Sequence, residues 1–314
     1  MTDRSAEPDA RAPGGDPKPK AARPELARLA VLGSPIAHSR SPRIHRAAYD
    51  VLGLPWEYVA VECAEAGLEA WLRGRDESWR GLSLTMPLKD EARRLSAVID
   101  PVAEESGVVN TLLRVAGGRW AGFNTDVGGL AAAIRNAGLD AREVSILGSG
   151  ATAVSAVLAA RRLGAERVHL FARREEAAQR LADRFDGTAE LGLPPLRADA
   201  EPLLGDATGR ERFAARDRVA GTTLVISTLP GHGMDARNVL GPIGLAPLFD
   251  VAYDPWPSEL AMLSEASGQP AVPGTDMLVE QALLQVRIFV NGDPGTELER
   301  EGDVLAAMRT AVND

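Results

Sequence analysis

Ser145-Ile146-Leu147-Gly148-Ser149-Gly150-Ala151-Thr152-Ala153 is the stretch on which the fold of this chain turns. Glu143–Leu147 reads as a short apolar strand, Gly148–Gly150 as a turn, and Ala151–Leu163 as an alanine-rich helix. The spacing is G-x-G-x-x-A, the dinucleotide-binding fingerprint with alanine at its third small position. The first glycine makes the turn and the second lets the backbone approach a pyrophosphate. The small third residue lets the helix pack close to the strand, with its free N–H groups aimed at phosphate. A lone glycine pattern is equally a tight β–α turn; the strand before it and the helix after it favour the binding reading.

The next strand, Arg167–Ala172, runs into Arg173-Arg174 and the helix Glu175–Phe185. An acid about 20 residues beyond the glycines would hold the ribose hydroxyls of NAD. Arginine there pairs instead with a 2′-phosphate, by a charged fork and by stacking on adenine. NADP is therefore favoured, while Glu175 and Glu176 keep NAD open and a solvated helix start is the bland alternative.

Composition narrows the classes. The 314 residues are 45% hydrophobic and 25% charged, an ordinary globular mixture, and their number suggests two domains. A formal net charge of −9 argues against a nucleic-acid partner. No apolar run is long enough to span a membrane. The single cysteine, Cys63, gives neither a disulfide framework nor metal-site spacing, and His38, His45, His169 and His232 are scattered. The expected compartment is the cytoplasm, and the expected assembly a monomer or homodimer. Residues 1–25, rich in Pro, Gly, Ala and charge, read as a disordered leader.

From Leu26 onward strand and helix signals alternate, which predicts an α/β protein with a largely parallel sheet. Leu29–Leu32, Trp56–Val61 and Gly81–Met86 read as strands, and so do Val108–Val115 and Arg119–Phe123, turned by Gly117-Gly118. Helices are expected over Pro42–Leu52, with Ser41 as N-cap and Pro42 at the first position, and around Leu68–Leu72. Another should run from a Thr125 cap to about Ala137. Beyond the fingerprint, Thr223–Ser227 and Pro247–Val251 read as strands, Met277–Asn291 and Glu297–Val312 as helices, and Glu190–Arg218 as polar and irregular. The expected division is a substrate-binding unit over 26–125, a Rossmann-type doubly wound dinucleotide-binding unit over 126–292, and a C-terminal helix within 293–314 packed back on the first.

Several polar clusters fall at predicted strand ends, where α/β proteins bind ligands. In Gly81-Leu82-Ser83-Leu84-Thr85-Met86-Pro87-Leu88-Lys89 a strand meets Pro87, expected at the first position of a helix. That puts Lys89 in the first turn, where the helix dipole disfavours a cation by roughly 0.3–1 kcal/mol. Ser39 and Ser41 put two hydroxyls around the Pro42 helix start, a fitting seat for a carboxylate. Asn110-Thr111 and Asn124-Thr125-Asp126 add amides, hydroxyls and an acid; each alone reads as capping and turn chemistry.

These blocks together resemble the shikimate dehydrogenase family over about Leu29 to Gly292. The match is carried by GSPIAHSRSP (33–42), SLTMPLK (83–89), VNT (109–111), NTD (124–126), GSGATA (148–153), FDVAYDPWPSELA (249–261) and GTDMLVEQA (274–282). The resemblance implies NADP-linked, reversible reduction of 3-dehydroshikimate to shikimate, on the route to chorismate and the aromatic amino acids. It implies Lys89 and Asp126 as the catalytic pair, with the lysine relaying the hydroxyl proton. It also implies Ser39 and Ser41 as the carboxylate seat, with Thr85, Asn110, Asp126 and Gln281 on the ring substituents and Tyr253 nearby. The cofactor would lie on Gly148, Ser149, Gly150, Ala151, Thr152, Ala153, Arg173, Arg174, Thr228, Gly274 and Met277.

The chain departs from the family pattern at four places. Ser83 stands where asparagine is usual, Ala151 where a further glycine is common, Arg174 where a small hydroxyl residue often follows the arginine, and Thr275 where leucine is frequent. The first puts a substrate hydrogen bond in question. Rival readings are a quinate/shikimate dehydrogenase preferring NAD, a non-catalytic NADP(H)-binding module, and a folate-linked methylene dehydrogenase. The paired serines favour shikimate over quinate. Retention of Lys89 and Asp126 favours an enzyme, and the block 274–282 disfavours the folate-linked class.

Overall fold

A computed structural model describes residues 26–190, 192–203, 216–230 and 242–313. The expected leader, and part of the stretch read as irregular, lie outside the described residues.

Two six-stranded sheets organise the molecule. The first is built from β1 (Arg28–Gly33), β2 (Glu57–Glu62), β3 (Trp79–Leu84), β4 (Val98–Ile99), β5 (Thr111–Val115) and β6 (Arg119–Phe123), in the order β2-β1-β3-β5-β6-β4. β1, β2 and β3 are parallel, whereas β5 runs antiparallel to both β3 and β6. This reversal brings the end of β3, the start of β5 and the end of β6 to one edge of the sheet. Leu84 donates its N–H to the Asn110 carbonyl across that edge, at 2.7 Å.

The second sheet holds β7 (Glu143–Leu147), β8 (Arg167–Ala172), β9 (Arg197–Pro202), β10 (Leu224–Ser227), β11 (Leu248–Asp250) and β12 (Ala271–Pro273). Its order is β12-β11-β10-β7-β8-β9 with every neighbour parallel, the doubly wound Rossmann arrangement. Chain order reverses between β7 and β10, so the turn after β7 opens at the switch point. β9 lies within the stretch expected to be irregular. In its sequence, RADAEP, only the small Ala198 and Ala200 alternate toward the core, a weak strand signal, and it ends in Pro202, which the sheet tolerates because the strand is at the edge.

Helices α1 (Ser41–Leu52), α2 (Leu68–Arg73), α3 (Lys89–Leu95) and α4 (Pro101–Ser106) belong to the first half of the chain. They are followed by α5 (Asp126–Asn136), α6 (Ala151–Arg162), α7 (Glu175–Phe185), α8 (Glu259–Ala266), α9 (Thr275–Asn291) and α10 (Glu301–Asn313). Alanines at 153, 156, 159 and 160 are buried, which lets α6 lie close over the second sheet. α9 follows the second sheet in sequence but gives Val279, Ala282, Leu283, Val286, Ile288 and Phe289 to the core of the first. α1 and α10 pack in the same core. Fully buried Ile44, Val286 and Phe289 each contribute about 1.5–3 kcal/mol there. α9 also lies along α5, and a β-carbon at Gly129 would fall 2.6 Å from Gln281, so glycine is what allows this approach. Through these contacts α9 fixes the two sheets with respect to one another.

Two expected helix starts differ in the structure, and a third keeps its N-cap residue without the capping bond. α1 begins at Ser41, with Arg40 as N-cap and no side-chain cap bond; Ser39 Oγ accepts the Ser41 N–H at 3.3 Å. Ser41 is thus a first-turn residue and no cap. Thr125 is the N-cap residue of α5, but its side chain makes no capping bond because its hydroxyl is engaged with Asn110; Asn124 Oδ1 accepts the Asp126 N–H at 3.0 Å instead. Pro87 lies outside α3, in a turn closed by the Leu88 N–H on the Thr85 carbonyl at 2.9 Å, and Lys89 is the first helical residue.

Candidate active site

The carboxyl ends of β1, β3 and β6 carry the loops that hold most of the expected substrate residues. The loops after β1 and β3 are tied together by the Ser34 N–H on the Met86 carbonyl (3.0 Å) and the Thr85 N–H on the Leu32 carbonyl (2.9 Å). Lys89, first residue of α3, and Asp126, first residue of α5, meet with Nζ 2.6 Å from Oδ2. The dipole of α5 favours its carboxylate, whereas that of α3 disfavours its lysine. The ion pair offsets this second cost, and it is shielded, with side-chain exposures of 13% for Lys89 and 8% for Asp126.

Asn110 sits behind the pair. Its Nδ2 donates to Asp126 Oδ1 at 2.8 Å and to Thr125 Oγ1 at 2.9 Å, while its Oδ1 accepts the Thr125 N–H at 2.9 Å. Thr125 Oγ1 reaches Gln281 Oε1 at 3.4 Å, bringing α9 to the same cluster. Each Asp126 oxygen therefore has its own donor and the carboxylate cannot turn freely.

A cleft of about 840 Å3 lies beside Lys89. One wall is Glu65, Thr85, Met86, Pro87, Lys89 and Asp90; the other is Gly148–Thr152, Ala172, Arg173, Arg174 and Thr228–Pro230. Gly148 has φ of +121°, a conformation that glycine alone takes readily, and an added β-carbon would strike the Thr228 hydroxyl. That hydroxyl donates to the Leu147 carbonyl at 2.8 Å, locking the turn onto β10. The start of α6 carries no side-chain cap and no acid in its first turn, and space beside Gly150 is open. Exposed Arg173 and Arg174 stand at the end of β8 on the same cleft. Free helix N–H groups, a glycine cradle and two arginines fit a phosphorylated dinucleotide.

The remaining expected residues are placed away from this lining. Ser39 and Ser41 stand at the start of α1. Arg40 between them holds the Val312 carbonyl at 3.2 Å, and its guanidinium lies over the ring of Tyr253, from the loop after β11, at 5.3 Å. Burial raises the Tyr253 phenol above its ordinary pKa. Gly274 is the buried N-cap of α9, its N–H on the Ala252 carbonyl at 3.2 Å. Ala153 and Met277 are buried in the core of the second sheet. Ser83 is buried and takes the Tyr58 hydroxyl proton at 2.6 Å, so its departure from the family pattern serves an internal bond.

Sequence reasoning did not identify Glu65 and Leu229-Pro230 on the cleft, nor Gln285 and His45 behind the Asn110–Asp126 cluster. Gln285 carried a legible signal: it lies four residues beyond Gln281, on the same face of a helix otherwise apolar there. Among the described residues no group of His, Cys, Asp and Glu forms a metal site, and no helix is long and apolar enough to cross a membrane.

Residues 31–112 match the model of the shikimate dehydrogenase substrate-binding domain. A shikimate dehydrogenase (NADP(+)) of Anaeromyxobacter dehalogenans is 36% identical over 274 residues, covering 86% of this chain and 92% of the relative. The crystal structure of Mycobacterium tuberculosis shikimate dehydrogenase superposes with a TM-score of 0.74 at 35% identity, over 90% of this chain and 99% of that one. The shikimate 5-dehydrogenase of Thermus thermophilus, solved with NADP(H) and shikimate, superposes with a TM-score of 0.71 at 28% identity, over 91% and 99%. With paired serines, a lysine–aspartate pair and a glycine cradle on one framework, and with relatives matching nearly end to end, the chain belongs to the shikimate dehydrogenase family.

Proposed function

We propose that this chain catalyses the NADP-linked, reversible reduction of 3-dehydroshikimate to shikimate. The observation that carries the reading is that Lys89 lines one cleft with the Gly148–Thr152 cradle while its ammonium is held by Asp126. NADPH, when bound, supplies the hydride to the ring carbonyl carbon. Gly148 to Ala153 and Thr228 would hold its pyrophosphate side, Arg173 and Arg174 its 2′-phosphate, and Gly274 and Met277 support the backbone near the reacting end.

In the reducing direction the carbonyl oxygen gains charge as its carbon becomes tetrahedral, and Lys89 Nζ gives that oxygen a proton. In the oxidising direction the same nitrogen accepts the hydroxyl proton. Asp126 aims Nζ through the 2.6 Å contact, and Asn110 holds Asp126. Ser39 and Ser41, at the start of α1, take the substrate carboxylate, with Tyr253 beside them. Thr85, Asn110, Asp126 and Gln281 contact the ring oxygens. The substrate-side unit is residues 26–125 with the returning C-terminal helix, and the dinucleotide unit 126–292, α9 being shared between their cores. The cytoplasm as compartment and a monomer or homodimer as assembly complete the reading.

The test is turnover of shikimate and quinate with NADP and NAD, followed by absorbance of the reduced nicotinamide. Shikimate with NADP should be fastest, and Lys89→Ala should lower kcat by about 10²–10⁴-fold with the KM for NADP little changed. Absence of turnover with every pair, or near-normal kcat in Lys89→Ala, would refute it.

A further inference from the structure

Behind Asp126 a single chain of hydrogen bonds runs away from the cleft into the core of the first sheet. Asn110 Oδ1 accepts from the Thr111 hydroxyl at 2.8 Å, and Thr111 Oγ1 accepts from Gln285 Nε2 at 3.0 Å. Gln285 Oε1 accepts from Ser83 Oγ at 2.7 Å and lies 3.2 Å from His45 Nε2. Ser83 in turn accepts from Tyr58, and His45 Nδ1 lies 3.1 Å from the Tyr49 hydroxyl. Gln285 is 1% exposed and His45 fully buried.

The proton positions along this chain are forced. Burial pushes the His45 pKa down to about 3, so its ring is neutral near pH 7 and carries one N–H. Gln285 Oε1 only accepts, which places that N–H on Nε2 and leaves Nδ1 to accept from Tyr49. With Oε1 turned to Ser83 and His45, the Gln285 amide can present only N–H groups to Thr111. Thr111 must then spend its one proton on Asn110 Oδ1, which leaves the Asn110 amino group facing Asp126. A reversed Asn110 amide would set its oxygen against the carboxylate and its N–H groups against the Thr125 N–H.

We propose that Gln285 and Thr111 are positioning residues that fix the Asn110 amide, and through it Asp126, in the orientation that aims Lys89. The assignment rests on the Lys89–Asp126 reading given above. It also gives a reason for serine at 83: a short hydroxyl there leaves room for the Gln285 carbonyl and supplies it with a donor. A merely structural role would call for the same bonds to be satisfied, with no consequence for turnover once the protein is folded.

The test compares Thr111→Val, which keeps the shape but cuts the relay, with Thr111→Ser, which restores the hydroxyl. Thr111→Val should lower kcat by about tenfold with the KM for NADP unchanged, because a loosened catalytic group misplaces the proton without disturbing the cofactor cradle. Thr111→Ser should return kcat to within about twofold of wild type, the loss tracking the hydroxyl alone. Gln285→Met serves as a second cut, its folding checked by thermal unfolding, and should show the same kcat loss. The proposal is overturned if Thr111→Val turns over normally, if Thr111→Ser is equally impaired, or if the KM for NADP rises in step with the fall in kcat. Wild-type turnover that depends on Lys89, together with a normal Thr111→Val, fails this proposal alone. Absence of wild-type turnover fails the reading beneath it as well.

Discussion

Replacing Asp126 with asparagine changes one atom and should expose how tightly the proposed catalytic pair, Lys89 and Asp126, is bound. Asp126 receives one donor on each oxygen, Lys89 Nζ at 2.6 Å and Asn110 Nδ2 at 2.8 Å. An amide has a single oxygen, so either Lys89 or Asn110 must face an N–H group. Asn110 is held from behind by Thr111 and by the Thr125 N–H, which makes Lys89 the group that loses its acceptor. A buried cation stripped of its partner costs about 3–5 kcal/mol. Lys89 keeps 13% exposure on the rim of a cleft, so water recovers part of this and about 2 kcal/mol is expected. At an unfolding entropy of about 2.1 cal/mol/K per residue, a chain of 314 residues should lose roughly 3 °C in Tm. Turnover should fall more than stability suggests, by about 10²-fold or more in kcat, because the proton carrier is no longer aimed.

Crossing this variant with Lys89→Met supplies the decisive comparison. Lys89→Met leaves Asp126 with Asn110 as its one remaining donor, so each single change strands a charge, whereas the double change strands none. The double variant should therefore be more stable than the sum of the singles predicts, by about 1–2 kcal/mol. Its kcat should be no lower than that of the worse single. Urea unfolding at pH 7 and single-turnover kinetics read the two quantities. Strict additivity in both would show that Lys89 and Asp126 do not act as a unit, and the reasoning would fail.

Two further outcomes follow from other parts of the molecule. Arg173→Ala should raise the KM for NADP by about 10–100-fold while that for NAD changes little, because a charge-assisted pair to the 2′-phosphate is worth about 1.5–3 kcal/mol; equal losses for both cofactors in steady-state kinetics would remove Arg173 from that role. His45, whose pKa burial lowers from 6.5 to about 3, takes up its proton in the unfolded chain below pH 6.5 but in the folded chain only near pH 3. Its contribution is present above pH 6.5 and is lost as pH falls, by about 3 kcal/mol at pH 4.5. His45→Gln should reduce the difference in urea stability between pH 7 and pH 4.5 by roughly that amount, and an unchanged difference would show that His45 ionises freely in place.

The parts legible in the sequence are those set by local pattern. β7, β8 and α7 have the expected bounds because a run of apolar residues or a 3.6-residue period is complete within each segment. The short strands β4 and β12 are too brief to show a period, and in β9 only the small Ala198 and Ala200 alternate with polar residues; β9 and β12 lie at sheet edges where a proline at the last position costs nothing. At Ser41 and Thr125 the expected capping bonds are absent for a different reason. Both residue types suit an N-cap, yet the Thr125 hydroxyl is engaged with Asn110, which is distant in sequence, and the first turn of α1 starts one residue early. A local rule has no access to such a partner.

The same limit separates the catalytic pair from what holds it. Lys89 was conspicuous because a cation in the first turn of a helix is locally out of place. Asp126 was unremarkable, since an acid opening a helix is locally favourable, and only the fold shows that one residue's cost is offset by the other's position. Gln285 has only its spacing from Gln281 as a local signal, and it lies 175 residues from the carbonyl of Asn110 that its amide faces at 3.5 Å. Its part in the site depends on α9 leaving the second sheet to enter the core of the first. The cofactor turn with its flanking β7, α6, β8 and α7 is closed by local pattern over a short stretch of chain and is readable there. The proton-handling side was readable only at the one residue that its own helix disfavours.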